Sequence, residues 1–223
     1  MPISRLDLLG SPNIGVYAFT TNIYTIIPVI TPKRKINRFS DFLKGKIIHT
    51  TVGGTRLIGV LAAGNSNGIV LPHFTFNEEI KAIKAALDTN VERIASKINA
   101  FGNLILVNDH GGIVGKNLMR EKAAIHKIED TLDVELAQGE IAGLPYVGSL
   151  AAATNTGVLA HPMLKDEEHN LLEDVLKVRV DLGTINGGSH FISSGILVND
   201  NGVIIGNLTT GPEIMVISDL FGG

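Results

Sequence analysis

The chain has 223 residues, a formal net charge of −3, no cysteine, and 44% apolar content with few aromatics. Zero cysteine excludes disulfides, thiolate nucleophiles and cysteine metal ligands together. The mild negative balance argues against a grip on bare nucleic acid driven by counterion release, while permitting a basic protein partner. No apolar run approaches the roughly 18 residues of a membrane span. Asp7 interrupts any apolar leader in the opening Met1–Asp7, so a soluble, intracellular protein is expected.

The elements recur along the chain. A first hairpin phrase runs from Gly15 to Ile27, and looser copies run from Gly59 to Leu71 and from Val147 to Leu159. The clearest copies are Leu104–Gly115 and Ser193–Gly206, where apolar runs flank tight Asn-Asp turns. Aligning the five places Gly15, Gly59, Asn103, Gly148 and Ser193 at one position, 44, 44, 45 and 45 residues apart. A repeat of that period implies a closed or stacked array, because a unit of about 44 residues cannot bury its own core.

Each hairpin is followed by a predicted helix. Ile36, Ile80, Ile125, His169 and Ile214 begin a stripe that continues three residues later at Phe39, Ile83, Ile128, Leu172 and Ile217. It ends four further on at Leu43, Leu87, Leu132, Leu176 and Phe221. Spacing i, i+3, i+7 is one face of a helix. Asn77 is the expected cap of the second helix, with Glu78 and Glu79 in its first turn. Asp166, Glu167 and Glu168 open the fourth, and Pro212 suits the first turn of the fifth. Pro28, Pro72 and Pro162 close the second strands of their repeats; Lys116 and Asn207 take that place in repeats three and five, whose strands are expected to run on by a residue.

The first four helices lead into short strands at Lys46–Thr50, Val91–Ser96, Val134–Gly139 and Val178–Gly183. The fifth helix meets the C-terminus without one. Arg5–Gly10 is a spare strand at the other end of the chain, and the inference is ring closure: the first strand completes the last repeat. A closed ring leaves no sheet edge open. The connections into the next hairpin carry Ser11–Asn13, Thr51–Arg56, Asn99–Gly102, Ile141–Tyr146 and Thr184–His190. They are expected to crowd one end of the ring as a broad, fairly flat surface.

Five αββ repeats closed by an N-terminal strand look like the pentein fold. Several phrases closely resemble the translation initiation factor six family: Gly53–Gly59, Gly64–Pro72, Gly102–Asp109, Val147–Ser149, His161–Pro162 and Thr209–Glu213. The likeness covers nearly the whole chain in repeat order. The ending Phe221–Gly223, without a polar tail, resembles the archaeal form. The resemblance implies α/β pentein architecture with pseudo-fivefold symmetry and a single domain over residues 1–223. The repeats fall at about 11–52, 53–96, 97–140, 141–185 and 186–223, with strand 5–9 completing the last.

It further implies a cytoplasmic, monomeric, non-enzymatic factor that binds the large ribosomal subunit on the face that meets the small subunit. There it contacts ribosomal protein near the sarcin–ricin loop, with some rRNA contact, and blocks premature subunit joining. A role in large-subunit maturation and translation initiation is implied as well. No cofactor and no metal is expected. The alternative is a guanidino-modifying enzyme of the same superfamily, disfavoured because that chemistry needs a cysteine nucleophile. A ring clamp on nucleic acid is a third reading, against which the net charge speaks.

Asn103 reads as a turn asparagine or as a side chain at the rim of the binding face; the resemblance to the family's Gly-Asn phrase favours the interface. Arg56 and Tyr146 are either ordinary surface and core residues or interface anchors, roles for which both types are enriched. Asn13, Ser189 and His190 are candidates by position. Lys33, Arg34, Lys35 and Arg38 form a basic cluster that reads as a solvated face or as a phosphate contact on rRNA. Asp109 and His110 read as turn formers, and His169 as a hydrogen-bonded residue at the core edge. The seven histidines lack metal-ligand spacing. Gly112–Lys116 lacks the spacing of a phosphate loop.

Overall fold

The computed structural model describes residues 1–222. It is a mixed α/β structure of five small sheets, each of three strands. The first sheet holds Phe19–Thr20, Tyr24–Ile27 and Lys46–His49; the second holds Ala63–Gly64, Gly68–Pro72 and Asn90–Ile94. The third is built from Ile105–Val107, Gly112–Val114 and Leu136–Gln138, and the fourth from Ala151–Ala153, Val158–Ala160 and Val180–Leu182. In each, the first two strands are an antiparallel hairpin and the third lies parallel to the second.

The fifth sheet has the same order but takes its third strand from the other end of the chain. Ile196–Asn199 and Gly202–Gly206 form the hairpin, and Ile3–Leu6 runs parallel to the second strand with Ile3 opposite Val203 and Leu6 opposite Gly206. The N-terminal strand is therefore shorter and earlier than the expected 5–9 or Arg5–Gly10. It stops at Leu6 because Leu9 and Gly10 adopt positive φ, and Leu8 pairs with Ser11 across a tight turn.

The long helices are Lys33–Leu43, Asn77–Ala86, Lys122–Leu132, Asp166–Leu176 and Gly211–Phe221. Their apolar stripe is the one the period-3.6 pattern marks. Phe39, Ile83, Ile128, Leu172 and Ile217 are buried in every case. Each helix fills the gap between its own sheet and the preceding one, and the first helix packs on the fifth sheet. The result is five apolar cores, one per junction. Leu6, Leu8, Phe39, Leu43, Leu197 and Ile204 share the core where the two ends of the chain meet.

The sequence pattern missed one class of element. Before each hairpin lies a four-residue helix: Ile14–Tyr17, Ile58–Leu61, Phe101–Leu104, Val147–Leu150, and a 3₁₀ turn at Ile192–Gly195. Segments this short carry no readable period and would not form alone. They touch in cyclic order, the first meeting both the second and the last. The contact is backbone on backbone. A Cβ on Gly59 would lie 1.8 Å from the Gly15 carbonyl oxygen, and one on Gly102 1.9 Å from that of Gly59. One on Gly148 would lie 2.3 Å from the Gly102 oxygen, and one on Gly15 1.9 Å from that of Ser193. Only glycine permits this approach. The position shared with Gly15, Gly59 and Gly148 is thus Gly102, not Asn103.

Other expectations shift as well. Phe76, not Asn77, precedes the second helix, and its N–H is accepted by Glu79 at 2.7 Å. The third hairpin does not run on to Lys116; it ends at Val114 and is followed by an extra helix, Lys116–Met119. The fifth hairpin likewise ends at Gly206, before Asn207.

Candidate docking face

The hairpins turn at one end of the molecule and the short helices lie at the other. Since the second and third strands of each sheet run back from the turns, the loops that follow them join the short helices. The five connections expected to crowd one end do so.

Three of those loops are each held by a glutamate in the first turn of the long helix that follows in the chain. Glu79 accepts the N–H groups of Gly53 and Gly54 at 2.8 and 2.9 Å. Glu168 takes those of Ala142 and Gly143, both at 2.8 Å, and Glu213 takes those of Gly187 and Gly188 at 3.0 and 2.8 Å. All six of these loop residues have positive φ, which turns successive N–H groups toward one carboxylate. Burial alone would raise the Glu213 carboxyl. The N–H groups of Thr210, Gly188 and Gly187 and the Thr184 hydroxyl outweigh it and bring the pKa down to about 2. Glu79 is shifted down by the same opposition of burial and donors. In the first unit the equivalent tie is Lys35 to the Asp7 carboxylate at 2.6 Å.

The loops so fixed surround a shallow depression of about 260 Å³, bordered by Val16, Val60, Asn103, Ser149 and Ser194 from the five short helices. Asn103 is half-buried there. Asn13 and Tyr146 stand immediately before the first and fourth short helices, with Leu57 and Phe191 in the equivalent places of the second and fifth. Tyr146 and Phe191 are 50% and 57% exposed. Arg56 is exposed beside Leu57 and borders a cleft with Leu9 and Tyr17. Ser189 closes a turn with Ile185. The His190 ring meets His161 edge-on, 4.6 Å between centroids. His161 is shifted down, first by burial and then by the His190 charge, against the opposing pull of Glu168. Its Nδ1 accepts the Met163 N–H at 3.0 Å. Asn13 also has a structural duty, since its carboxamide oxygen accepts from Asn186 Nδ2 at 3.3 Å.

All six sequence candidates thus fall at this one end, and Asn103 lies nearest its centre. Apart from Tyr146, the pattern left unnoticed a set of apolar side chains on the same end. Val29, Ile30, Phe74, Phe76, Met163 and Leu208 project from the loops after the second strands; Leu57, Leu144, Tyr146 and Phe191 project from those before the short helices. These are ten of the fourteen large exposed hydrophobics among the described residues, so the asymmetry between the two ends is not an effect of composition. The readable signal was their place: apolar residues in predicted loops, outside every core stripe.

Half of the basic cluster of the first helix is engaged, while Lys33 and Arg34 stay exposed. Lys35 pairs with Asp7, and Arg38 donates to Ser4 Oγ at 3.2 Å and lies 5.9 Å over the Phe42 ring. His169 bonds the Val180 carbonyl at 3.2 Å, a core-edge role. No helix among the described residues is long and apolar enough to cross a membrane.

Five junction cores and backbone-to-backbone contact make a stiff body, and its exposed apolar chemistry is gathered on one end. Together they define a class, a mixed α/β scaffold with one apolar end. The eIF-6 family model matches residues 3–220. Translation initiation factor 6 of Sulfolobus acidocaldarius is 41% identical over 223 residues, which is 99% of each chain. The factors of that name from Methanocaldococcus jannaschii and Pyrococcus horikoshii are each 41% identical, over 99% and 100% of this chain and 98% and 99% of their own. The chain belongs to the eIF-6 family. These relatives are translation initiation factors, a non-enzymatic class, which sets the guanidino-modifying alternative aside.

Proposed function

We propose that the protein docks through its short-helix end on the large ribosomal subunit and blocks premature joining of the small subunit by bulk. The observation that carries this reading is the gathering of ten exposed apolar side chains on an end whose loops are pinned by Glu79, Glu168 and Glu213. A stable interface needs about 800 Å² per partner, with aromatic anchors near its centre. Tyr146 and Phe191 are placed for that role, with Asn103 in the central depression and Arg56, Asn13, Ser189 and His190 around it. The reading includes a cytoplasmic monomer that acts in large-subunit maturation and in initiation. Its scaffold is a pentein ring of pseudo-fivefold symmetry, with repeats near 11–52, 53–96, 97–140, 141–185 and 186–223.

Two measurements test this. Purified large subunits should carry the protein through a sucrose gradient and, once loaded, fail to join small subunits; unimpeded joining at saturation refutes the block. Removing residues 1–9 should cost the whole protein its cooperative melt, since the fifth sheet loses a strand and the shared core loses Leu6 and Leu8. A truncated chain that melts as the intact one does would refute the closed ring.

A further inference from the structure

The apolar margin of the short-helix end is broken at one place. After the second strand, the first, second, fourth and fifth units carry exposed apolar side chains: Ile30, Phe74, Met163 and Leu208. The third unit carries Lys116 and Asn117 instead, at the start of its extra helix. Arg120 and Lys122 follow within one turn, and Lys97 joins them from the neighbouring loop through its N–H to Glu121, 3.3 Å away. All four cationic side chains are exposed. None has a carboxylate partner among the described residues; in the first unit Lys35 has one in Asp7, and Lys33 and Arg34 have none. Local stability does not account for them. The third long helix opens on Lys122 with Glu121 at its N-cap but no acid in its first turn, and the first opens on Lys33 and Arg34, also without one, whereas the second, fourth and fifth carry Glu79, Glu168 and Glu213 there. Cations there run against the helix dipole.

We propose that this corner, formed by Lys97, Lys116, Arg120 and Lys122, docks on the phosphodiester backbone of RNA while the apolar remainder of the same end takes protein. The proposal rests on the docking reading for which end faces the partner, and it adds an orientation: the third unit points toward RNA. Four unpaired cations around one short helix suit a dense, regular polyanion, whose bound counterions they release. The chain's net charge of −3 then keeps the contact local, so that free RNA binds weakly and only this corner responds.

The test has two arms, each comparing the intact protein with a variant carrying K97Q, K116Q, R120Q and K122Q. All four sites are exposed, so the variant should melt with the parent. In the first arm, a short RNA hairpin is titrated at low salt and backbone amide shifts are followed by NMR. Shifts confined to residues 96–98 and 115–122, and abolished in the variant, are expected. No shifts, shifts centred on residues 33–38, or equally tight binding of a glutamate peptide of matched charge would overturn the proposal. In the second arm, affinity for purified large subunits is measured against salt. The variant should bind at least tenfold more weakly at low salt, and its log–log salt slope should fall by about 3, at roughly 0.7–0.9 for each phosphate no longer neutralised. An unchanged slope overturns the proposal. If the intact protein ignores large subunits yet the hairpin still maps to this corner, the ribosomal reading fails and the assignment of RNA chemistry to the corner stands.

Discussion

At the hairpin end, nearly every polar group is used by a neighbour. Asn65 Nδ2 donates to the carbonyls of Asn108 and Leu132 at 3.1 and 2.9 Å; Asn108 repeats this with Thr154 and Leu176, and Asn199 with Thr21 and Leu43. Each of these buried asparagines thus ties the next unit's hairpin and the end of that unit's long helix to its own turn. Around them Asp109 accepts from the Ser66 N–H, the Ser66 hydroxyl and Asn155 Nδ2, and Asp200 from Asn22 Nδ2 and the Asn155 N–H. Burial would raise the Asp109 carboxyl, but these donors hold it below its ordinary value. At the short-helix end the backbone is equally well tied, yet the side chains above it are apolar and uncovered. One end completes its interactions internally; the other leaves its apolar side chains exposed.

That contrast can be broken at its strongest point first. Gly59→Val drives a side chain into the Gly15 carbonyl, so a loss of about 4 kcal/mol or outright failure to fold is expected in urea denaturation. A mild effect would mean the short helices can separate cheaply. Asn108→Ala strips the donor from two buried carbonyls. It should cost about 2–3 kcal/mol and leave docking on large subunits unchanged once the protein is folded. Weakened docking at unchanged stability would place the partner at the hairpin end.

Glu213 provides a pH test of the loop anchors. Its folded pKa of about 2 lies below the ordinary 4.5, so its contribution is complete above pH 4.5 and disappears as pH falls through about 2. Glu213→Gln should therefore lower stability at neutral pH by about 2 kcal/mol and flatten the acid limb between pH 4.5 and 2. An acid limb unaltered in the variant would show that other carboxylates control it. The smallest stability effect belongs to the exposed anchors. Tyr146→Ala with Phe191→Ala should shift unfolding by no more than about 0.5 kcal/mol each, while affinity for large subunits drops at least tenfold. Full affinity in the double variant would remove both from the interface.

How much was legible depended on how far each constraint reaches along the chain. The long-helix stripe was legible because Phe39 and Leu43, or Ile128 and Leu132, are neighbours on one helix face within two turns of sequence. The completion of the last sheet by an N-terminal strand was legible because four units had a third strand and the fifth lacked one. Its bounds were misplaced because the positive-φ turn at Leu9 and Gly10 looks, as letters, like the end of an apolar run. The six candidate residues fall together at one end because the loops that carry them share one place in every repeat. The apolar margin of Phe74, Met163 and Leu208 was passed over because a hydrophobic residue in a loop reads as core until its surroundings are known.

The amino-acid sequence by itself determined the repeat, the helix faces, the hairpins and the loop cluster, since each follows from interactions among residues close in the chain. Only the tertiary structure decided that Gly102 rather than Asn103 continues the glycine series, and that Glu79, Glu168 and Glu213 pin the loops. It also decided that Lys35 of the first unit is paired with Asp7, while Lys97, Lys116, Arg120 and Lys122 have no carboxylate partner among the described residues. In each case the deciding neighbour lies 25 or more residues away, a Gly59 carbonyl, a turned pair of N–H groups or an Asp7 carboxylate. A local pattern holds no record of a distance that exists only after the chain has folded back on itself.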